Sequence, residues 1–328
     1  MPEPPRIDIS DLAGTEAVDQ VFLLGNVEVR QKKNGEPFLN LELVDRSGRM
    51  QAKVWDGAEM VQRKIRTGDY VRVRGQVKIY NKRLDMAIAS IIAVDEKSVD
   101  KGAFVPRTKK DPVQLALAWK EIVAGVKNDW LKRLLRTFVE DEGWFAKFCE
   151  SPAAVRLHHA CIGGLLEHVV TLARAALAIA PLYPNLDKDL LVTGIFLHDV
   201  GKVRELSSDR VFAYTDEGRL VGHIAIGSQM LEEVVAGIEG FPEELRLRLQ
   251  HMILAHHGQL EYGSPVKPMT LEAVALHHLD NLDAKIFAFS KAIEESTVGE
   301  GENWTEYSKM FDGYLWKGPS SGGMESQG

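Results

Sequence analysis

Histidine and aspartate recur inside apolar, helix-patterned segments of this sequence. They are His168 in GGLLEHV, His198 and Asp199 in LHDVGK, His223 in GHIAIG, His256 and His257 in AHHG, and Asp280 with Asp283 in HHLDNLDAK. A buried imidazole or carboxylate costs several kcal/mol unless it is paired or bound to metal. One such residue is ordinarily a satisfied core group, but at least five segments each turning one inward point to a shared metal centre. Mixed imidazole and carboxylate donors suit divalent Mn, Fe, Co, Zn or Ni, and the donor set alone does not choose among them. His168, His198, Asp199 and Asp280 can hold one ion. His223, His256 and His257 can complete a second, with Asp199 bridging. Two ions about 3.5–4 Å apart clamp an in-line displacement at phosphorus, activating a water and neutralising the departing oxygen. Lys202 follows Asp199 by one helical turn and is a candidate to neutralise a nonbridging phosphate oxygen. Its alternative is a surface lysine at a helix C-terminus near Gly201. Asp283 lies one turn from Asp280 and can replace or support it. His158 and His159 either reach the substrate, orient a ligand, or form a capping pair. Glu167 points about 100° away from His168 on a helix, so it is not proposed as a ligand.

These residues need a helical scaffold, and from Pro112 onward the apolar spacing is three to four. Helices are expected over PVQLALAWKEIVAGV, DWLKRLLRTFVED, GWFAKFCE, His159 to Ala180, and DKDLLVTGIFLHDVGK closing at Gly201. Further helices are expected from Gly222 to Ile238, Pro242 to Ala255, Thr270 to Glu294 and Trp304 to Tyr314. The body over 112–316 is therefore read as all-α, followed by a flexible tail over 317–328. The preceding region, 15–95, instead alternates apolar and polar residues in five short runs, with one helical stretch, AEMVQRKI, between the third and fourth. That order is an OB-fold, a small Greek-key β-barrel, although another small barrel would share the pattern. The fold class is thus a multidomain β plus α chain. Residues 96–111 are polar and aperiodic and read as a linker, the alternative being a packed segment held by Phe104 and Val105.

Charge is distributed unevenly. From Val18 to Asp95 there are 14 Lys/Arg and 10 Asp/Glu, a net of +4, so a total of −7 leaves −11 for the remainder. OB barrels commonly hold single strands by phosphate attraction and base stacking. The stacking candidates are Phe38, Trp55 and Tyr80, and the cations are Arg30, Lys53, Arg72, Arg74 and Lys78. Alternatively, Phe38 and Trp55 fill the barrel and the cations are solvated.

With 328 residues, 45% apolar and 27% charged, the chain is long enough for two domains with real cores, and it is neither disordered nor collagen-like. Its two cysteines, Cys149 and Cys161, exclude a disulfide framework and suit the cytoplasm. The N-terminus lacks a signal-peptide pattern, and no run approaches about 18 uninterrupted apolar residues, so no membrane partner is expected.

The ordered pattern H…HD…H…HH…D resembles the HD-domain superfamily of metal-dependent phosphohydrolases, over roughly 157–295. Together with the barrel and the phrases NGEPFLNLELVDRSG, AKVWD, LHHACIGGLLEHV, TDEGRLVGHI and LDNLDAK, it resembles the YhaM-type 3′–5′ exoribonucleases. The resemblance implies Mn²⁺-favoured hydrolysis of single-stranded RNA, or of single-stranded DNA, to nucleoside monophosphates. Co²⁺, Fe²⁺, Mg²⁺, Ni²⁺ and Zn²⁺ are the alternative ions, one or two in number. It carries first-ion roles onto His168, His198, Asp199 and Asp280, and second-ion roles onto His223, His256 and His257. Two other readings use the same residues: a phosphohydrolase of nucleotides or cyclic dinucleotides, and a non-catalytic single-strand-binding protein. Exposed apolar helix faces would favour a homo-oligomer, but exposure is not readable from sequence.

Overall fold

Alternation lets each N-terminal strand bury one face and solvate the other. In the computed structural model, β1 (Ala17–Gln31), β2 (Pro37–Asp45), β3 (Gly48–Val54), β4 (Tyr70–Tyr80) and β5 (Arg83–Ala93) close a barrel in the order β1-β2-β3-β5-β4. The helix α1 (Ala58–Gln62) lies between β3 and β4 in sequence, and only the β3–β5 pair is parallel. This is the expected OB-fold. The structure describes residues 6–12, 17–80, 83–155, 159–207, 212–294, 296 and 303–318.

Leu39, Leu41 and Leu43 of β2 point into the barrel with Phe22, Leu24, Met50, Val71, Val73 and Met86, while Phe38, Asn40 and Glu42 alternate outward. Gly75 sits where β5 bulges at Ala89 against β4. A Cβ there would lie 2.3 Å from the Ala87 carbonyl oxygen, so only glycine fits. The segment 96–111 is not an open linker over its first part. Phe104 and Val105 are buried, and Phe104 packs with Leu23, Val44 and Tyr70 beneath the Arg6 guanidinium, 4.2 Å from the ring centre. Burying one such aromatic contributes about 1.5–3 kcal/mol, and Val105 burial and the Arg46 N–H bond to the Ala103 carbonyl hold the segment with it. The two compact units accordingly divide at Arg107 and Thr108, with Ser207–Ala213 grouped with the first.

The second unit is built on α2 (Pro112–Gly125), α3 (Asp129–Glu140), α4 (Glu142–Glu150), α5 (Gly164–Ile179), α6 (Lys188–Leu197), α7 (Lys202–Glu205), α8 (Asp216–Leu220), α9 (His223–Ala236), α10 (Glu243–Ala255) and α11 (Leu271–Glu294). Their starts follow the capping residues. Asp111, Asn128, Asp141 and Asp187 each accept a backbone N–H in the first turn of α2, α3, α4 and α6. Asp189 through Leu197 of α6 are all buried, which is why this segment reads as a continuous apolar run. α5 packs against α2, α4, α6 and α11. Gly164–Leu182 is long and apolar enough to cross a membrane by length and composition, with a mean hydropathy of 1.5. Here nine residues of α5 are buried among its neighbouring helices, so it serves as a core helix.

Three expectations for this unit are corrected. α5 starts at Gly164 rather than His159, because His159 has the left-handed φ of 50° and cannot continue a helix. The segment from Trp304 to Tyr314 is not a helix but the hairpin of β8 (Trp304–Ser308) and β9 (Gly313–Trp316), which pair antiparallel. Trp304, Tyr307, Phe311 and Tyr314 are spaced three and four apart, which imitates a helix. The turn at Asp312-Gly313, with Asp312 at φ 50°, instead sets Tyr307 opposite Tyr314 and Trp304 opposite Trp316. With the two-residue strands β6 (Leu206–Ser207) and β7 (Ala213–Tyr214), the body is helical in its core rather than wholly α. Of the expected tail, 319–328 lie outside the described residues.

Candidate metal centre and nucleic-acid face

Five elements converge on Asp199. His168 comes from the second turn of α5, and His198 caps the end of α6, with Asp199 directly after it. His223 opens α9, His256 and His257 follow α10, and Asp280 and Asp283 lie within α11. Gly201 makes this approach possible. A Cβ on it would lie 2.1 Å from the His223 carbonyl oxygen and 2.8 Å from the Gly227 nitrogen.

The two oxygens of Asp199 face different groups. Oδ2 lies 3.3 Å from His198 Nε2 and 3.7 Å from His168 Nε2, and His168 Nε2 lies 3.4 Å from His198 Nε2 and 3.3 Å from Asp280 Oδ1. Oδ1 lies 3.6 Å from His223 Nε2 and 3.9 Å from His256 Nε2. His257 joins these last two, with donor atoms mutually within 4.8 Å. Two donors each about 2.0–2.2 Å from one ion stand about 3–3.5 Å apart, so these separations are close to coordination geometry. Asp199 Oδ1, His223 Nε2 and His256 Nε2 are buried and have no hydrogen-bond partner among the described residues. Each such group left unsatisfied costs about 1–3 kcal/mol, and a cation among them removes that cost.

The imidazoles are also oriented for a metal. His198 Nδ1 donates to the Ile195 carbonyl at 2.6 Å, His256 Nδ1 to Ile253 at 2.7 Å, and His257 Nδ1 to Tyr262 at 2.8 Å. His223 Nδ1 donates to Glu205 Oε1 at 3.0 Å, and His168 Nδ1 to Asp283 Oδ2 at 2.7 Å. Carbonyl and carboxylate oxygens only accept, so Nδ1 carries the proton, and each ring without a second proton turns an Nε2 lone pair toward the shared centre. Asp283 therefore supports His168, and Asp280 is the carboxylate on the donor side. His159 lies behind Asp283, with Nε2 at 3.1 Å from its Oδ2, while His158 lies outside the described residues. Glu167 stays off the donor side. It accepts from the Thr108 hydroxyl at 2.5 Å and pairs with Lys110 at 3.1 Å.

Electrostatics favour ionised carboxylates here. Burial opposes the charge on Asp199, but His198 and Lys202 outweigh it and hold the carboxyl well below its usual range. Asp280 is likewise opposed by burial and lowered by His168. His256 and His257 are pushed down mainly by burial, which keeps them neutral donors. Lys202 is buried, with Nζ at 2.6 Å from Asp199 Oδ2, so it is a member of the site and not a surface cap. Glu205 was not recognisable as a functional residue from its type. Its Oε1 accepts from both the backbone and the ring of His223, and its only sequence signal is a carboxylate one turn beyond Lys202.

On the barrel, Phe38 and Trp55 stand outside the core and stack, with ring centres 4.9 Å apart and planes at 25°. Trp55 is 40% exposed. Lys53 Nζ lies 5.9 Å from the Trp55 ring and pairs with Asp85, Arg30 is in register with Phe38, and Lys78 is in register with Asp85. Directly opposed residues share a face, so Arg30, Phe38, Lys53, Trp55 and Lys78 form one outer surface. Arg72 and Arg74 alternate with Lys78 on the outward side of β4, nearer β1. They lie on the β1–β4 seam, where both bind the Asp19 carboxylate at 2.8 and 2.7 Å. The Tyr80 side chain lies outside the described residues.

Comparison with known families agrees with this geometry. Residues 165–285 match the HD domain family, and residues 26–94 match the OB-fold nucleic acid binding domain family. The 3′-5′ exoribonuclease YhaM of Bacillus subtilis (strain 168) is 38% identical over 286 residues, spanning 87% of this chain and 90% of its own length. That of Shouchella clausii (strain KSM-K16) is 39% identical over 291 residues, spanning 87% and 89%. With an OB barrel, an HD-type helical body and relatives matched over nearly their whole length, this chain belongs to the YhaM family of 3′-5′ exoribonucleases.

Proposed function

We propose that this protein is a divalent-metal-dependent 3′–5′ exoribonuclease that releases nucleoside monophosphates from single-stranded RNA, and that it also accepts single-stranded DNA. The observation that carries the reading is Asp199, whose two carboxylate oxygens each face a separate cluster of imidazole donors. His168, His198 and Asp280 would hold one ion with Asp199, and His223, His256 and His257 the other. Bound there, divalent ions supply an activated water and charge neutralisation on the scissile phosphate. The chain's residues do the rest. Asp199 keeps the two clusters in fixed relation, and the Nδ1–H bonds hold every imidazole in one tautomer. Lys202 Nζ faces the site as a buried cation and pairs with a nonbridging phosphate oxygen. Water adds to phosphorus, the P–O3′ bond breaks, a proton of that water passes through solvent to O3′, and the upstream strand leaves with a 3′-hydroxyl. The Phe38–Trp55 stack with Arg30, Lys53 and Lys78 suits bases and phosphates of a single strand.

Direction of attack rests on the family's activity, and Mn²⁺ as the favoured ion rests on that resemblance alone, since the mixed donor set suits several divalent ions. Two unpaired thiols, Cys149 and Cys161, suit a cytoplasmic location. The test is digestion of 5′-labelled single-stranded RNA by metal-stripped protein with added Mn²⁺, beside Asp199→Ala. The expected result is a ladder shortening from the 3′ end that Asp199→Ala abolishes while retaining RNA binding. Intact RNA alongside hydrolysis of a free nucleotide would overturn the reading in favour of a small-molecule phosphohydrolase. Binding without any turnover would favour a non-catalytic role.

A further inference from the structure

The carboxylates behind the two donor clusters come from different elements and do not share partners. Asp283 of α11 places one oxygen, Oδ2, between His168 Nδ1 at 2.7 Å and His159 Nε2 at 3.1 Å. His159 is itself tightly held. Its carbonyl accepts from Ala153 N at 3.1 Å and Cys161 N at 2.8 Å, and its ring packs 4.5 Å from Phe287. These contacts hold its backbone in the left-handed region, at φ 50°. Its ring Nδ1 lies 3.6 Å from Glu167, which is anchored by Thr108 and Lys110. On the other side of Asp199, Glu205 of α7 accepts from His223 twice, through N at 2.9 Å and Nδ1 at 3.0 Å. Among the described residues, Asp199 is the one side chain with an oxygen toward each cluster.

We infer that the two halves of the centre are oriented independently, with His159 and Asp283 as positioning residues for the His168 half and Glu205 for the His223 half. The inference rests on the two-ion reading above and adds which residues govern each ion. Removing a carboxylate behind a ligand imidazole frees that ring to rotate and weakens its ion by about 10–100-fold. Since neither carboxylate touches the other half, the second ion keeps its affinity.

The experiment is Mn²⁺ titration of the metal-stripped full-length protein by calorimetry, with Mn²⁺ electron paramagnetic resonance as a second count of bound ions. Asp283→Ala and Glu205→Ala are each expected to weaken one of two sites by about 10–100-fold and to leave the other within about twofold. His159→Ala should weaken the same site as Asp283→Ala. Asp283→Asn and Glu205→Gln keep an acceptor oxygen and should restore most of the affinity, which a merely structural role would not do. They also keep the test valid if an alanine variant does not fold. In a His257→Ala background, Asp283→Ala should weaken the remaining ion by about 10–100-fold while Glu205→Ala adds no further loss. Equal weakening of both sites by either variant, or no weakening by any, overturns the inference while leaving the two-ion reading intact. A wild-type protein that takes up no Mn²⁺ overturns both.

Discussion

At the scale of single residues, His168 sets the pH response of the empty centre. Burial works against its charge, but Asp280 and Asp283 outweigh burial and raise its pKa to about 9. A pKa raised in the folded state gives stability that is complete below the unfolded value of about 6.5 and is lost as pH rises through about 9. His256 and His257 act in the opposite sense. Burial lowers their pKa values, so their contribution is present above about 6.5 and is lost as pH falls. The metal-free protein is therefore expected to be most stable near pH 6.5, with Tm declining on either side. A divalent ion must displace the His168 proton, so the rise in Tm given by Mn²⁺ should grow between about pH 6.5 and 9. Thermal melts in EDTA and in Mn²⁺ across that range measure both, and a Mn²⁺ increment flat with pH would contradict the role of His168. The donor residues were legible because an imidazole or aspartate turned inward from an apolar helix must be paired or bound to metal. Their supports were less legible. Asp280 and Asp283 are equivalent by spacing, and only the rotation of α11 separates donor from support. Glu205 lies on a four-residue helix whose aim depends on the whole packing of α7 against α8 and α9.

Elements carry the next set of expectations. α7 and α9 meet through Gly201, where an added methyl would lie 2.1 Å from the His223 carbonyl oxygen. Gly201→Ala should cost about 1–3 kcal/mol in stability, as overpacking does. It should also lose Mn²⁺ at the His223 half before the His168 half, which denaturant melts and Mn²⁺ titration read separately. On the barrel, Trp55→Ala should weaken binding of a long single strand by about 1–3 kcal/mol per stacked base, roughly 5- to 150-fold. Arg72→Ala and Arg74→Ala should change it by less than about 1 kcal/mol, because Asp19 already holds both guanidiniums at an exposed seam. Fluorescence anisotropy with labelled RNA distinguishes these, and a larger loss at Arg72 than at Trp55 would move the strand to the β1–β4 seam. Most of the elements were readable from period and capping residues, such as Asp111-Pro112 and Asp187. The hairpin at 304–316 was not, because its aromatics repeat at helical spacing and the turn at Asp312-Gly313 decides the outcome. The segment 96–107 was not, because its two buried residues, Phe104 and Val105, stand alone in a polar run with no periodicity.

For the whole molecule, charge and chemistry are partitioned. The barrel region carries a net +4 and the remainder −11, so salt should act on strand capture and not on bond cleavage. Binding of a long strand is expected to fall steeply with salt, while hydrolysis of a small chromogenic phosphodiester stays nearly constant. A chain starting at Thr108, where the compact units divide, should keep the second activity and lose the first. Equal losses of both would make the barrel structural. The central claim is that Asp199 bridges two catalytic ions, and anomalous diffraction from Mn²⁺-soaked crystals tests it most directly. The account predicts two peaks about 3.5–4 Å apart, one beside each Asp199 oxygen. A single peak, whether or not it touches an Asp199 oxygen, or none at all, would contradict it.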